Sequence, residues 1–90
     1  MNLEAVIEER VRNAFSPSYF ELINQSDLHA GHVGHDGSGH SHFKLIIVSP
    51  AFDEVPRVQR QRRVYSLLED LFSEGLHALS MTLLTDKEYF

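Results

Sequence analysis

The run Phe43-Lys44-Leu45-Ile46-Ile47-Val48 decides the fold. It is apolar on both parities except at Lys44 and ends in three β-branched residues, a pattern that places a strand in the middle of a sheet rather than at its edge. Leu45 to Val48 is also the longest unbroken apolar stretch in the chain. It falls far short of the roughly 20 residues that a membrane-spanning helix needs. Tyr19 to Asn24 alternates, with Phe20 and Leu22 on one side and Glu21 on the other, which suits a strand with one wet face. Upstream, Leu3, Val6, Ile7, Arg10, Val11 and Ala14 keep the spacing of one helical face, interrupted only by Arg10. Asn2 is the expected N-cap and Ser16-Pro17 the stop, because proline cannot continue the hydrogen-bond ladder.

Downstream, residues 50–56 carry Pro50 and Pro56 and read as a connection with one turn of helix. From Arg57 to about Ser73, Val64, Tyr65, Leu68, Leu71 and Phe72 mark a second amphipathic helix, closed by Gly75. His77 to Leu84 alternates again, with His77, Leu79, Met81 and Leu83 on one parity. The last six residues read as a short turn or a frayed end. The coarse order α-β-β-(turn)-α-β predicts an α+β domain: a three-stranded mixed sheet covered on one face by helices. The first two strands run antiparallel, and the third runs parallel to its neighbour after a right-handed helical crossover.

Ninety residues make one domain, 1–90. The absence of cysteine excludes a disulfide framework, a thiol nucleophile and a cysteine-ligated zinc finger, and fits a reducing, cytoplasmic location. The first residues lack the basic and apolar regions of a signal peptide, so no membrane partner is expected. Thirteen acidic against eight basic side chains give a net charge of -5, which opposes bulk attraction to nucleic acid. No Ser-His-Asp spacing, phosphate-binding loop, dinucleotide fingerprint or paired-carboxylate motif is readable, so the chain is expected not to be an enzyme.

Chemistry concentrates in two places. His29, His32, His35, His40 and His42 fall in or beside a Gly/His-rich loop over 26–41, and His77 stands apart. Imidazoles on such a loop bind borderline metals. The competing reading is a solvated loop with no fixed ligand geometry. His42 reads as a capping or packing residue at a strand end, and His77 as either a partly buried, hydrogen-bonded residue or a ligand. Arg57, Arg60, Arg62 and Arg63 hold half of the positive charge at the start of the second helix, against its dipole. They face either a charged partner or solvent, with Asp53 and Glu54 as local counter-charges. Gly31-His32-Val33-Gly34 and Gly34-His35-Asp36-Gly37 match the Gly-x-x-Gly pattern of KH domains, but they lie between strands rather than helices and are treated as coincidence.

Together, Ser41-His42-Phe43-Lys44-Leu45-Ile46-Ile47-Val48-Ser49, the helix Val58 to Leu68, His77-Ala78-Leu79-Ser80-Met81 and Thr85-Asp86-Lys87-Glu88-Tyr89 resemble the BolA-like family across the whole chain. The resemblance implies an α-β-β-α-α-β fold like that of class II KH domains. It differs at Arg60-Gln61-Arg62, where the family usually has Arg-His-Arg, and at Glu54, where it often has glycine. It implies a non-enzymatic partner of monothiol glutaredoxin, acting in iron-sulfur cluster handling or in iron and redox signalling. In that heterodimer a two-iron two-sulfur (2Fe-2S) cluster is shared with the glutaredoxin cysteine, a glutathione thiol and two side chains of the BolA-like chain. His77 matches one implied ligand. His29 is the best match for the other, with His32 and His35 as rivals. The glutathione carboxylates need cations, and Arg60, Arg62 and Arg63 are the candidate contacts for a partner or for nucleic acid. Two further hypotheses compete. One is a DNA-binding transcriptional regulator of stress response or cell morphology, and the other is a free-standing histidine metal chaperone.

Overall fold

The computed structural model describes residues 2–25 and 42–90. Its elements are α1 (Leu3–Phe15), β1 (Tyr19–Asn24), β2 (His42–Val48), a 3₁₀ turn (Pro50–Phe52), α2 (Arg57–Leu68), a 3₁₀ segment (Glu69–Glu74), β3 (Ala78–Leu84) and α3 (Asp86–Tyr89). The sheet order is β1-β2-β3, so the apolar strand is central. β1 pairs with it antiparallel, Phe20 opposite Ile47 and Leu22 opposite Leu45. β3 pairs with it parallel, Leu45 opposite Met81 and Ile47 opposite Leu83. The three-stranded mixed α+β sheet expected from the sequence is the fold observed.

Alternation along β2 decides where the core sits. Phe43, Leu45 and Ile47 are buried, and Phe20, Leu22, Leu79 and Met81 pack beside them on the same parity. Against this face lie Leu3, Ile7, Val11 and Phe15 of α1 and Val64 and Leu68 of α2. The buried stripe of α1 turns towards Phe15 and leaves Ala14 exposed, because Phe15 closes the core against Phe52 with ring centroids 5.0 Å apart. Asn2 caps α1 by accepting from the Ala5 N–H at 3.2 Å. At its other end Ser16 takes the left-handed conformation, and the buried Ser49 hydroxyl donates to the Phe15 carbonyl at 2.5 Å.

Arg10, the interruption in the apolar face of α1, joins the two helices. Its guanidinium donates to the Leu67 carbonyl at 3.0 Å and to both Asp70 oxygens at 2.6 and 3.0 Å. That bidentate pair holds the Asp70 carboxyl below its usual range.

α2 departs from the expected boundaries. It ends as an α-helix at Leu68 and continues in 3₁₀ form to Glu74, where Gly75 turns the chain at φ 112°. Tyr65, expected on the apolar face, is exposed and packs on Phe72 at 6.0 Å between ring centroids. The buried face is instead Arg60, Val64 and Leu68, a strict four-residue spacing.

Arg60 is 5% exposed. Its guanidinium donates to the carbonyls of Val55 at 2.7 Å and Leu83 at 3.0 Å, and to Glu88 at 2.7 and 3.4 Å. Its partner sits on α3, which the sequence reading left as a turn or frayed end. Thr85 and Glu88 form a capping box: the Thr85 hydroxyl accepts from the Glu88 N–H, and Glu88 accepts from the Thr85 N–H at 2.8 Å. The Thr-x-x-Glu spacing carried that signal. One arginine therefore ties the crossover helix, the end of β3 and the C-terminal turn together.

Two predictions follow from these local geometries. Glu54 stands at φ 61°, a left-handed conformation that costs a non-glycine residue roughly 1–2 kcal/mol, part of which glycine returns through its freer unfolded chain. Glu54→Gly is expected to raise stability by about 0.5–1 kcal/mol in urea denaturation. The Arg60 guanidinium and the Thr85 N–H depress the Glu88 pKa to about 2 from its ordinary value of 4.5. A depressed carboxylate stabilises above its unfolded pKa, so the stability difference between wild type and Glu88→Gln is full above pH 4.5. It falls between pH 4.5 and about 2 and vanishes below that, which denaturation at a series of pH values reads directly.

Candidate metal-ligand site at the sheet end

Parallel pairing starts two strands at the same end of a sheet. His42 is the first residue of β2 and pairs with Ala78, the first residue of β3. His77 directly precedes Ala78, so the two histidines meet despite their separation in sequence. Their ring centroids are 6.3 Å apart and nearly perpendicular, at 84°.

Each is held by its backbone neighbours. The N–H groups of Gly75 and Leu76 both donate to the Leu71 carbonyl, which closes the turn after the 3₁₀ segment. Leu76 then inserts into the core at 1% exposure, and His77 emerges exposed beside it. On the other strand, the His42 carbonyl accepts from the Gln25 N–H at 2.8 Å, so the end of β1 fixes the start of β2. His42 is half-buried. The sequence reading gave it a capping or packing role. Its position beside His77 follows from parallel register, which residue spacing within the histidine-rich segment does not reveal.

The chemistry available is that of two imidazoles, a side chain that binds borderline metal ions in its neutral form. Among the described residues no group of three or more histidine, cysteine, aspartate or glutamate side chains gathers to hold a metal. The pair offers two of the four donors that a tetrahedral metal site takes. The candidate ligands His29, His32 and His35 lie outside the described residues.

The candidate contact arginines are placed elsewhere. Arg60 is spent inside the fold on Glu88 and two carbonyls, so its expected role as an external contact is corrected: at 5% exposure, with four of its five N–H donors engaged, it is turned away from another molecule. Arg62 and Arg63 are exposed and border a groove with Ala14 and Phe15. Phe15 is bonded to Ser49, just past the end of β2, whereas His42 begins that strand. Six residues of strand separate the two ends, about 20 Å. Phe15, which lines the groove with both arginines, thus lies toward the end of the sheet away from the histidines. Lys44 shares a face of β2 with His42, two residues or about 7 Å along the strand. It is the cation that the sequence reading passed over, as the only polar interruption of a core strand.

The chain as a whole is similar to known proteins. The family model described as "BolA-like protein" matches residues 11–88. The "DNA-binding transcriptional regulator BolA" of Haemophilus influenzae is 35% identical over 89 residues, covering 99% of this chain and 82% of that protein. Among solved structures, the "BolA domain of SufE1 from Arabidopsis thaliana" superposes with a TM-score of 0.85 at 38% identity, covering 98% of this chain and 96% of that one. "BolA1 from Arabidopsis thaliana" gives 0.83 at 35% identity, covering 93% and 92%. No helix among the described residues is long and apolar enough to cross a membrane. With the sheet, the crossover and nearly the whole chain in agreement, this protein belongs to the BolA-like family.

Proposed function

We propose that the protein is a non-enzymatic partner of a monothiol glutaredoxin and supplies two imidazoles to a bridging 2Fe-2S cluster completed by the glutaredoxin cysteine and a glutathione thiol. The observation that supports this reading most is the meeting of His42 and His77 at one sheet end, with no third ligating group beside them among the described residues. Two donors from one chain suit a group shared between two proteins. His77 is the first ligand. The second comes from the histidine-bearing segment that leads into β2: the family resemblance favours His29, and the geometry favours His42.

Such a cluster supplies one-electron chemistry, and histidine in place of cysteine raises its potential. The chain's part is to hold the imidazoles. Leu76 and the parallel register fix where His77 stands, and Lys44, two residues along β2 from His42, offers a cation for a carboxylate of the thiol peptide. This role places the protein in iron-sulfur cluster handling or redox signalling in the cytoplasm.

A second reading is DNA-binding transcriptional regulation, which rests on the name of the Haemophilus relative and on the exposed Arg57, Arg62 and Arg63. The net charge of -5 and the internal use of Arg60 weigh against it. With three cations at most on one helix, DNA affinity would fall with salt at a logarithmic slope no steeper than about -3.

Titrating a glutathione-containing glutaredoxin cluster dimer with this protein is expected to give a new visible circular dichroism spectrum that saturates at about one-to-one. His77→Ala is expected to abolish that spectrum while thermal stability stays within about 0.5 kcal/mol of wild type, because the side chain is exposed. Spectra unchanged by addition of the wild-type protein would remove the proposal.

A further inference from the structure

Two arginines of α2 stand outside the ion pairs of the fold. Among the described residues, Arg10, Arg12, Arg57 and Arg60 each form an ion pair with a carboxylate. Arg62 and Arg63 form none, although acidic side chains outnumber basic ones by thirteen to eight. Both arginines border one open groove of about 580 Å³ between α1 and α2. Its apolar wall is Ala14, Phe15 and Leu67, and Gln59 and Ser66 complete the rim.

α2 carries no acidic residue, so neither cation has a counter-charge on its own helix. Both stand near its middle, exposed to solvent. The C-terminal end of α1 adds Ala14 and Phe15 to the groove, and the Phe15 carbonyl there is already taken by the Ser49 hydroxyl. The groove therefore presents fixed positive charge and an apolar wall together. Nucleic acid phosphates would use only the first of these. A peptide uses both, through its carboxylates and its apolar side chains.

We propose that this groove binds an acidic peptide segment of a partner protein, with Arg62 and Arg63 meeting its carboxylates and Ala14, Phe15 and Leu67 receiving its apolar side chains. None of the groove's lining residues is a histidine or belongs to the two strands that begin at the histidine pair. Docking here is thus separable from metal ligation, and the proposal stands independently of the cluster reading.

The test is an amide-resolved NMR titration of the full chain with a short peptide of alternating glutamate and leucine. A glutamine-leucine peptide, a lysine-leucine peptide and a short DNA duplex serve as comparisons. Saturable shifts centred on Ala14, Phe15, Arg62, Arg63 and Ser66 are expected with the glutamate peptide. Affinity for the glutamine peptide should be about five- to tenfold weaker, as two exposed ion pairs would give. The double variant Arg62→Glu/Arg63→Glu changes two exposed side chains with no ion pair among the described residues, so the fold is retained. That variant is expected to reverse the preference and bind the lysine peptide. Equal binding of the glutamate and glutamine peptides, shifts centred elsewhere, or tighter binding of the duplex at the same residues would each overturn the proposal.

Discussion

The parallel pairing of β2 with β3 is the constraint on which the rest of the molecule depends. A parallel pair needs a crossover, and the crossover must bury an apolar face to be stable. Here it is the 3₁₀ turn, α2 and the 3₁₀ segment that follows, with Phe52, Val64, Leu68 and Leu71 all fully buried. The same pairing sets the first residues of both strands side by side. The candidate site at His42 and His77 is thus a consequence of topology rather than of any local motif.

The crossover is held at its ends by two arginines with different duties. Arg10 binds α1 to the end of α2 through Leu67 and Asp70, at an exposed position. Arg60 works from inside, linking Val55, Leu83 and Glu88. Removing a buried charge's partner strands that charge in a poorly solvated place, which is why the capping box around Glu88 matters beyond its own short helix. With Arg10 and Arg60 engaged internally, Arg62 and Arg63 remain as the cations turned outward beside α1. The molecule thus presents two chemically different sites, one of imidazole and one of guanidinium.

Much of this was legible in the sequence, for physical reasons that can be named. Two-sided apolarity placed Phe43 to Val48 at the sheet centre, and Pro17 stopped α1. The family resemblance brought His77 forward. What sequence could not supply was register and the direction of individual side chains. Arg60 and Arg62 look equivalent in a basic run, yet the four-residue spacing with Val64 and Leu68 turns Arg60 inward. Tyr65 looks like core and is exposed, because α2 tightens into a 3₁₀ segment and Leu68 and Leu71 fill the interior. His42 looked like the end of a loop until the parallel partner strand was in place. α3 was under-read although its Thr-x-x-Glu spacing was visible.

The central claim is that the sheet end where β2 and β3 begin supplies two histidine nitrogens to a shared cluster, one of them from His77. Pulsed electron paramagnetic resonance of the reduced mixed cluster, with this chain alone labelled with nitrogen-15 at histidine, tests it most directly. The account predicts two strongly coupled nitrogen-15 nuclei, one of which disappears in His77→Ala. The second disappears in His42→Ala or His29→Ala, which names the remaining ligand. A cluster whose spectrum shows no coupled nitrogen-15, or whose couplings survive His77→Ala, would contradict the account.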